Sequence, residues 1–174
     1  MLSTTANKLT LLRIIMVPVY LVLVYFDLRI YAAAVFILAS ITDFLDGYIA
    51  RHYNQVSNFG KFMDPLADKI LVISAMCFFV ECGQMPGWAV AIVLFREFAV
   101  SGLRLVAVEQ GLVIAAAKAG KVKTACTMVF VIAMTLFPAA APLNIIGTAV
   151  ILVTTVYSGI EYFVRNKQVL AENK

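Results

Sequence analysis

Six apolar stretches, at roughly residues 9–26, 30–51, 60–81, 87–109, 119–138 and 142–164, occupy most of this 174-residue chain. Each is close to the roughly 20 residues that a helix needs to cross the hydrocarbon core of a bilayer. A backbone in lipid must satisfy its own hydrogen bonds, so apolar runs of this length fold as helices. Short breaks separate them at 27–29, 52–58, 83–86, 111–118 and 138–142. The pattern predicts an all-α membrane protein of six transmembrane helices, forming a single domain over residues 1–174. Only 14% of the residues are charged and 63% are hydrophobic, whereas soluble domains carry about a quarter charged residues. The first apolar run is long and lacks a small-residue cleavage site after it, so it is expected to stay as a helix rather than act as a signal peptide. Pro18 within it is tolerable in a membrane helix.

Positive charge is asymmetric along these runs. Lys8, Arg13, Arg51, Lys61, Lys118, Lys121, Lys123, Arg165 and Lys167 lie at one set of ends, whereas the opposite loops carry only Arg29. Basic ends face the cytoplasm, so both termini are expected there, at the cytoplasmic membrane. The net charge of +4 is modest, and no Lys/Arg run interleaves with aromatic residues. That composition argues against nucleic acid as a partner. Cys77, Cys82 and Cys126 lack metal-ligand spacing and read as packing residues.

Against this background the segment SITDFLDGYIARHYNQVSNFGKFMDPLADKI, residues 40–70, holds four of the ten acidic residues. Asp43 and Asp46 are three apart, and Asp64 and Asp68 are four apart, so each pair shares a helix face. A short polar loop makes the two helices antiparallel. At 1.5 Å per residue, Asp46 and Asp64 should lie about 6–8 Å below that loop, and Asp43 and Asp68 about 12 Å. An ionised Asp at a membrane helix centre costs about 2.5–3.5 kcal/mol, so four need compensating positive charge. Arg51 and Lys61 are near in sequence. Two divalent cations would neutralise all four, and carboxylate oxygens suit Mg²⁺, Mn²⁺ or Ca²⁺. A paired-metal centre suits phosphoryl chemistry; spacing alone also leaves an acid-lined proton or cation pathway open.

The pattern D-x2-D-G-x2-A-R-x8-G-x3-D-x3-D, from Asp43 to Asp68, matches the signature of the CDP-alcohol phosphatidyltransferases without a gap. The family's members are six-helix membrane proteins, usually homodimers, with this motif on the second and third helices. The resemblance implies that Asp43, Asp46, Asp64 and Asp68 ligate two divalent cations, Mg²⁺ or Mn²⁺. It also implies that Asp68 is the general base for the acceptor hydroxyl, although the residues alone do not separate Asp68 from Asp43 in that role. Gly47 and Ala50 would let a nucleotide approach the backbone, or would serve tight helix packing. Arg51 and Ser57 match positions that bind the CDP moiety, and Gly60 matches the glycine at the mouth of the third helix. Asn7, Thr10 and Arg13 match an N-terminal N-x-L-T-x-x-R pattern, which adds Asn7 and Thr10 to the CDP-diacylglycerol site. Ala6 stands where relatives often have Pro.

The acceptor is read from elsewhere in the chain. Arg96 falls near the middle of the fourth run, with Glu97 beside it and Ser101, Arg104, Lys118, Lys121 and Lys123 following. An arginine at that depth is either functional or part of an ion pair with Glu97 or an aspartate. Several cations beside a diphosphate imply an anionic acceptor such as a phosphate monoester. REFAVSGLR (residues 96–104), GKVKT (120–124) and, more weakly, SGIEYF (158–163) resemble the branch of the family whose acceptor is glycerol 3-phosphate. That resemblance implies transfer of a phosphatidyl group from CDP-diacylglycerol to glycerol 3-phosphate, with Arg96, Arg104 and Lys121 on the acceptor phosphate. Inositol phosphate, serine and phosphatidylglycerol are the rival acceptors. Glu109 and Glu161 are read only as partners for nearby basic groups.

Overall fold

The computed structural model describes residues 5–52, 58–112, 114 and 117–170, with side chains described at all of these except 5–8, 43–52, 58–65 and 68. The described residues form α1 (Thr5–Tyr25), α2 (Arg29–His52), α3 (Asn58–Glu81), α4 (Gly87–Glu109), α5 (Lys118–Leu136) and α6 (Ala141–Arg165), with no strand among them. A turn of 3-10 helix follows at Lys167–Val169. Each helix coincides with one of the six apolar stretches to within about one turn.

Local chemistry explains where the helices stop. Asp27 takes a φ of 59°, which Asp tolerates better than most residues. Leu28 N–H then reaches back to the Leu23 carbonyl at 2.9 Å and closes α1. The Asp27 carboxylate accepts Arg29 Nε at 2.6 Å, and the Arg29 guanidinium lies over the Phe78 ring at 5.6 Å. Gly83, with φ of 72°, ends α3 in the same way, with Gln84 N–H donating to the Phe79 carbonyl at 2.8 Å. The buried Gln84 side chain donates to the carbonyls of Met134 and Pro138. It thereby ties the α3–α4 turn to the end of α5.

α1 packs against α2 and α3, α6 against α4 and α5, and α2 and α3 against α5. Tyr20, Phe36, Met76, Phe79, Met134 and Ile151 fill the centre. The Tyr20 hydroxyl shares a hydrogen bond of 3.0 Å with Thr135 Oγ1.

The surface is more apolar than that of a water-soluble bundle, and several polar groups lie inside. Phe95 and Phe98 are 75% and 71% exposed, whereas Arg13 and Lys123 are 1% and 7% exposed. Thr10, Thr127, Thr148, Thr155 and Ser158 are also buried. Large apolar side chains on the exterior, with some polar and charged groups held inside, are what lipid selects, because lipid gives apolar side chains no reason to hide. α5 and α6 are long and apolar enough to cross a membrane. Arg96, Glu97 and Arg104 interrupt the apolar character of α4, and two aspartates interrupt each of α2 and α3.

Candidate active site

Asp43 and Asp46 lie on α2 within its last three turns, and Asp64 and Asp68 lie on α3 within its first three. Their backbones therefore sit on the two helices expected, on either side of the connection at 53–57. Their side chains lie outside the described residues, as do those of Asn7, Gly47, Ala50, Arg51 and Gly60; Ser57 lies outside altogether. Among the described residues no group of three or more His, Cys, Asp and Glu gathers.

What is described is the charged side of the same region. Glu97, in the middle of α4, is the hub. Its Oε1 accepts Lys123 Nζ of α5 at 2.7 Å and Arg96 Nη1 at 2.9 Å. Its Oε2 lies 3.9 Å from Lys69 Nζ of α3. Lys69 also donates to Ser101 Oγ, and that hydroxyl donates to the Glu97 carbonyl at 2.7 Å. The Glu97 side chain is 13% exposed, so this is a buried node with one carboxylate among three cations. Basic groups gathered in this way are of the kind that holds an anion.

Helix registers explain how these groups meet. Val93, Val100, Leu103 and Ala107 form the buried stripe of α4, and Arg96 falls in that stripe. On α5 the buried stripe is Lys123, Thr127, Val131 and Met134, which puts Lys123 inward and leaves Lys121 exposed in the first turn. α6 contributes Thr155, Ser158, Gly159 and Tyr162. Two glycines leave room for Arg96. A Cβ on Gly159 would stand 3.1 Å from Arg96 Cγ, and one on Gly120 would stand 3.8 Å from Nη2. Arg96 Nε is buried without a hydrogen-bond partner among the described residues.

Arg104 lies two turns further along α4. Its Nε donates to Tyr162 Oη at 2.9 Å, and its guanidinium stands 5.5 Å from the ring centroid. One turn from there, Arg165 Nη2 pairs with Glu161 Oε1 at 2.6 Å, the basic partner anticipated for that glutamate. On α1, Thr10 and Arg13 are buried.

Of the three cations expected on an acceptor phosphate, Arg96 therefore lies in the node, Arg104 is held by Tyr162 two turns further along α4, and Lys121 is on the surface. Ion pairing and an anion site are not exclusive readings of Arg96, since Glu97 takes up its Nη1 while its Nε has no hydrogen-bond partner among the described residues. Sequence reasoning passed over Lys69 and ranked Lys121 above Lys123. The step of four from Lys123 to Thr127 and again to Val131 carried the second signal. For Lys69, only its adjacency to Asp68 marked it.

A cavity opens against this node between α3, α4 and α5. Lys69, Glu97, Lys123, Thr124 and Thr127 give it polar walls, over an apolar base that includes Val72 and Met128.

The family model for CDP-alcohol phosphatidyltransferase matches residues 3–159. That segment takes in the aspartate-bearing helices and the whole node. The chain is 40% identical to a Bacillus subtilis protein named CDP-diacylglycerol–glycerol-3-phosphate 3-phosphatidyltransferase, with 94% of this chain and 95% of that protein covered. It is 38% identical to a probable phosphatidylglycerophosphate synthase of Mycobacterium tuberculosis, over 94% and 82% of the two chains. A Rickettsia typhi protein with the same name as the Bacillus one is 46% identical over 56% of this chain and 57% of its own. With an unbroken motif on α2 and α3, six helices and a match across nearly its full length, the chain belongs to the CDP-alcohol phosphatidyltransferase family.

Proposed function

We infer that this chain transfers the phosphatidyl group of CDP-diacylglycerol to glycerol 3-phosphate, forming phosphatidylglycerophosphate and CMP in phospholipid biosynthesis. Near full-length similarity to proteins named for that reaction supports the reading. The structural observation that carries it is the node at which Arg96, Lys69 and Lys123 gather around one carboxylate beside a cavity, a cluster of basic groups suited to an anionic acceptor.

Asp43, Asp46, Asp64 and Asp68 are the residues that would hold two divalent cations, Mg²⁺ or Mn²⁺. Four hard oxygen donors suit those ions better than softer metals. When bound, the ions supply charge neutralisation at a diphosphate. Asn7, Thr10, Gly47, Ala50, Arg51, Ser57 and Gly60 would form the CDP-diacylglycerol site around them. Arg96, Arg104 and Lys121 would hold the acceptor phosphate. Asp68 takes the proton from the primary hydroxyl of glycerol 3-phosphate, and the freed oxygen attacks the lipid-side phosphorus. The bond from that phosphorus to the bridging oxygen breaks, and CMP leaves with the electron pair.

In this reading the six helices span the cytoplasmic membrane with both termini and the site on the cytoplasmic face, and the protein is a homodimer. Basic helix ends on that face also suit anionic lipid headgroups. CMP release from CDP-diacylglycerol, measured over a panel of acceptors, tests the function. Release dependent on glycerol 3-phosphate is the expected result. Release with serine or inositol phosphate instead would assign another acceptor, and no acceptor-dependent release would overturn the transferase reading.

A further inference from the structure

We propose that Glu97 is a positioning residue for the acceptor, acting through the cations it gathers and not by touching the reacting atoms. Among the described residues, its carboxylate is the point at which α3, α4 and α5 are tied together by charge. Lys123 on α5 and Arg96 on α4 share Oε1, while Lys69 on α3 faces Oε2 at 3.9 Å. Lys69 is the peptide neighbour of Asp68. The node therefore sets the depth and rotation of the α3 turn that bears Asp68 relative to the helices that bear the basic residues. It also opens on the cavity that Lys123, Thr124 and Thr127 line, which gives a small polar ligand a place beside the gathered cations. Without the carboxylate, Arg96 and Lys123 would lose the oxygen they share, and their like charges would push the two side chains apart. The inference rests on glycerol 3-phosphate being the acceptor.

The test is steady-state kinetics of the full-length protein in detergent or vesicles, with both substrates varied, for wild type, Glu97→Gln and Glu97→Asp. The expected result is a rise of about tenfold or more in KM for glycerol 3-phosphate in Glu97→Gln, with KM for CDP-diacylglycerol within about twofold of wild type. Glu97→Asp, which keeps the charge on a shorter arm, should recover part of the loss. A folded Glu97→Gln protein whose only defect is a lower kcat or a smaller active fraction would overturn the proposal. If Glu97→Gln does not fold, Glu97→Asp decides alone: an unchanged KM for glycerol 3-phosphate overturns the positioning role and a selective rise supports it. Wild type inactive with glycerol 3-phosphate would overturn both this inference and the function it rests on. Wild type active with an insensitive KM overturns this inference only.

Discussion

Lys123 Nζ lies 2.7 Å from Glu97 Oε1, and this bond joins the first half of α5 to the middle of α4 inside the bundle. Lys121, two residues earlier, is exposed. Two lysines of one short motif thus meet different environments, and their loss should have different consequences. Lys123→Met leaves Glu97 with one partner fewer, Arg96 still bonded to it, and should cost about 1.5–3 kcal/mol of stability. Lys121→Met should change stability by no more than about 0.5 kcal/mol while raising KM for glycerol 3-phosphate. Unfolding in detergent and steady-state kinetics on the two variants check both halves.

Gly159 and Gly147 offer a second contrast on a single helix. A methyl at Gly159 would press on Arg96 Cγ at 3.1 Å, and one at Gly147 would press on Phe130 and Met134 at 3.0 and 3.1 Å. Overpacking of this kind costs about 1–3 kcal/mol, so both alanine variants should melt lower. Only Gly159→Ala displaces Arg96, the arginine proposed for the acceptor phosphate, so it alone should raise KM for glycerol 3-phosphate. Equal KM values in the two variants would remove Arg96 from the acceptor site.

Tyr162→Phe removes the hydroxyl that accepts Arg104 Nε at 2.9 Å but keeps the ring beneath the guanidinium. The lost hydrogen bond should cost about 0.5–1.5 kcal/mol. Because Arg104 then has a freer side chain, glycerol 3-phosphate should bind several-fold more weakly. Tyr162→Leu, which also removes the ring, should be worse on both measures, and titration calorimetry together with kinetics would rank the three proteins.

Removal of divalent cations with a chelator should abolish CMP release, and Mg²⁺ or Mn²⁺ should restore it. Asp68→Asn should abolish turnover while leaving CDP-diacylglycerol binding largely intact. Turnover that survives chelation would exclude the metal-dependent reading of the four aspartates, and unchanged turnover in Asp68→Asn would remove it as the base.

The helices themselves were legible in the chain. Apolar runs near 20 residues and turn residues such as Asp27 and Gly83 marked six elements to within about a turn. The motif from Asp43 to Asp68 was equally legible, because its spacing along two helices is a local property. The interior of the site was less so. Arg96 and Glu97 were visible as charges in an oily helix, yet adjacency did not say whether they faced a ligand or each other. Lys69 drew no notice because its partners, Ser101 and Glu97, are about thirty residues away.

The sequence by itself determined the class of protein, the helix count and the family, since each follows from the order of residues within one or two adjacent segments. Only the tertiary structure decided that Lys123 and not Lys121 enters the buried node, that Gly159 makes room for Arg96, and that one carboxylate serves three helices. Those outcomes depend on the relative depth and rotation of α3, α4, α5 and α6. Successive residues on a helix point about 100° apart, so the rotation of each helix in the packed bundle selects which charge faces inward.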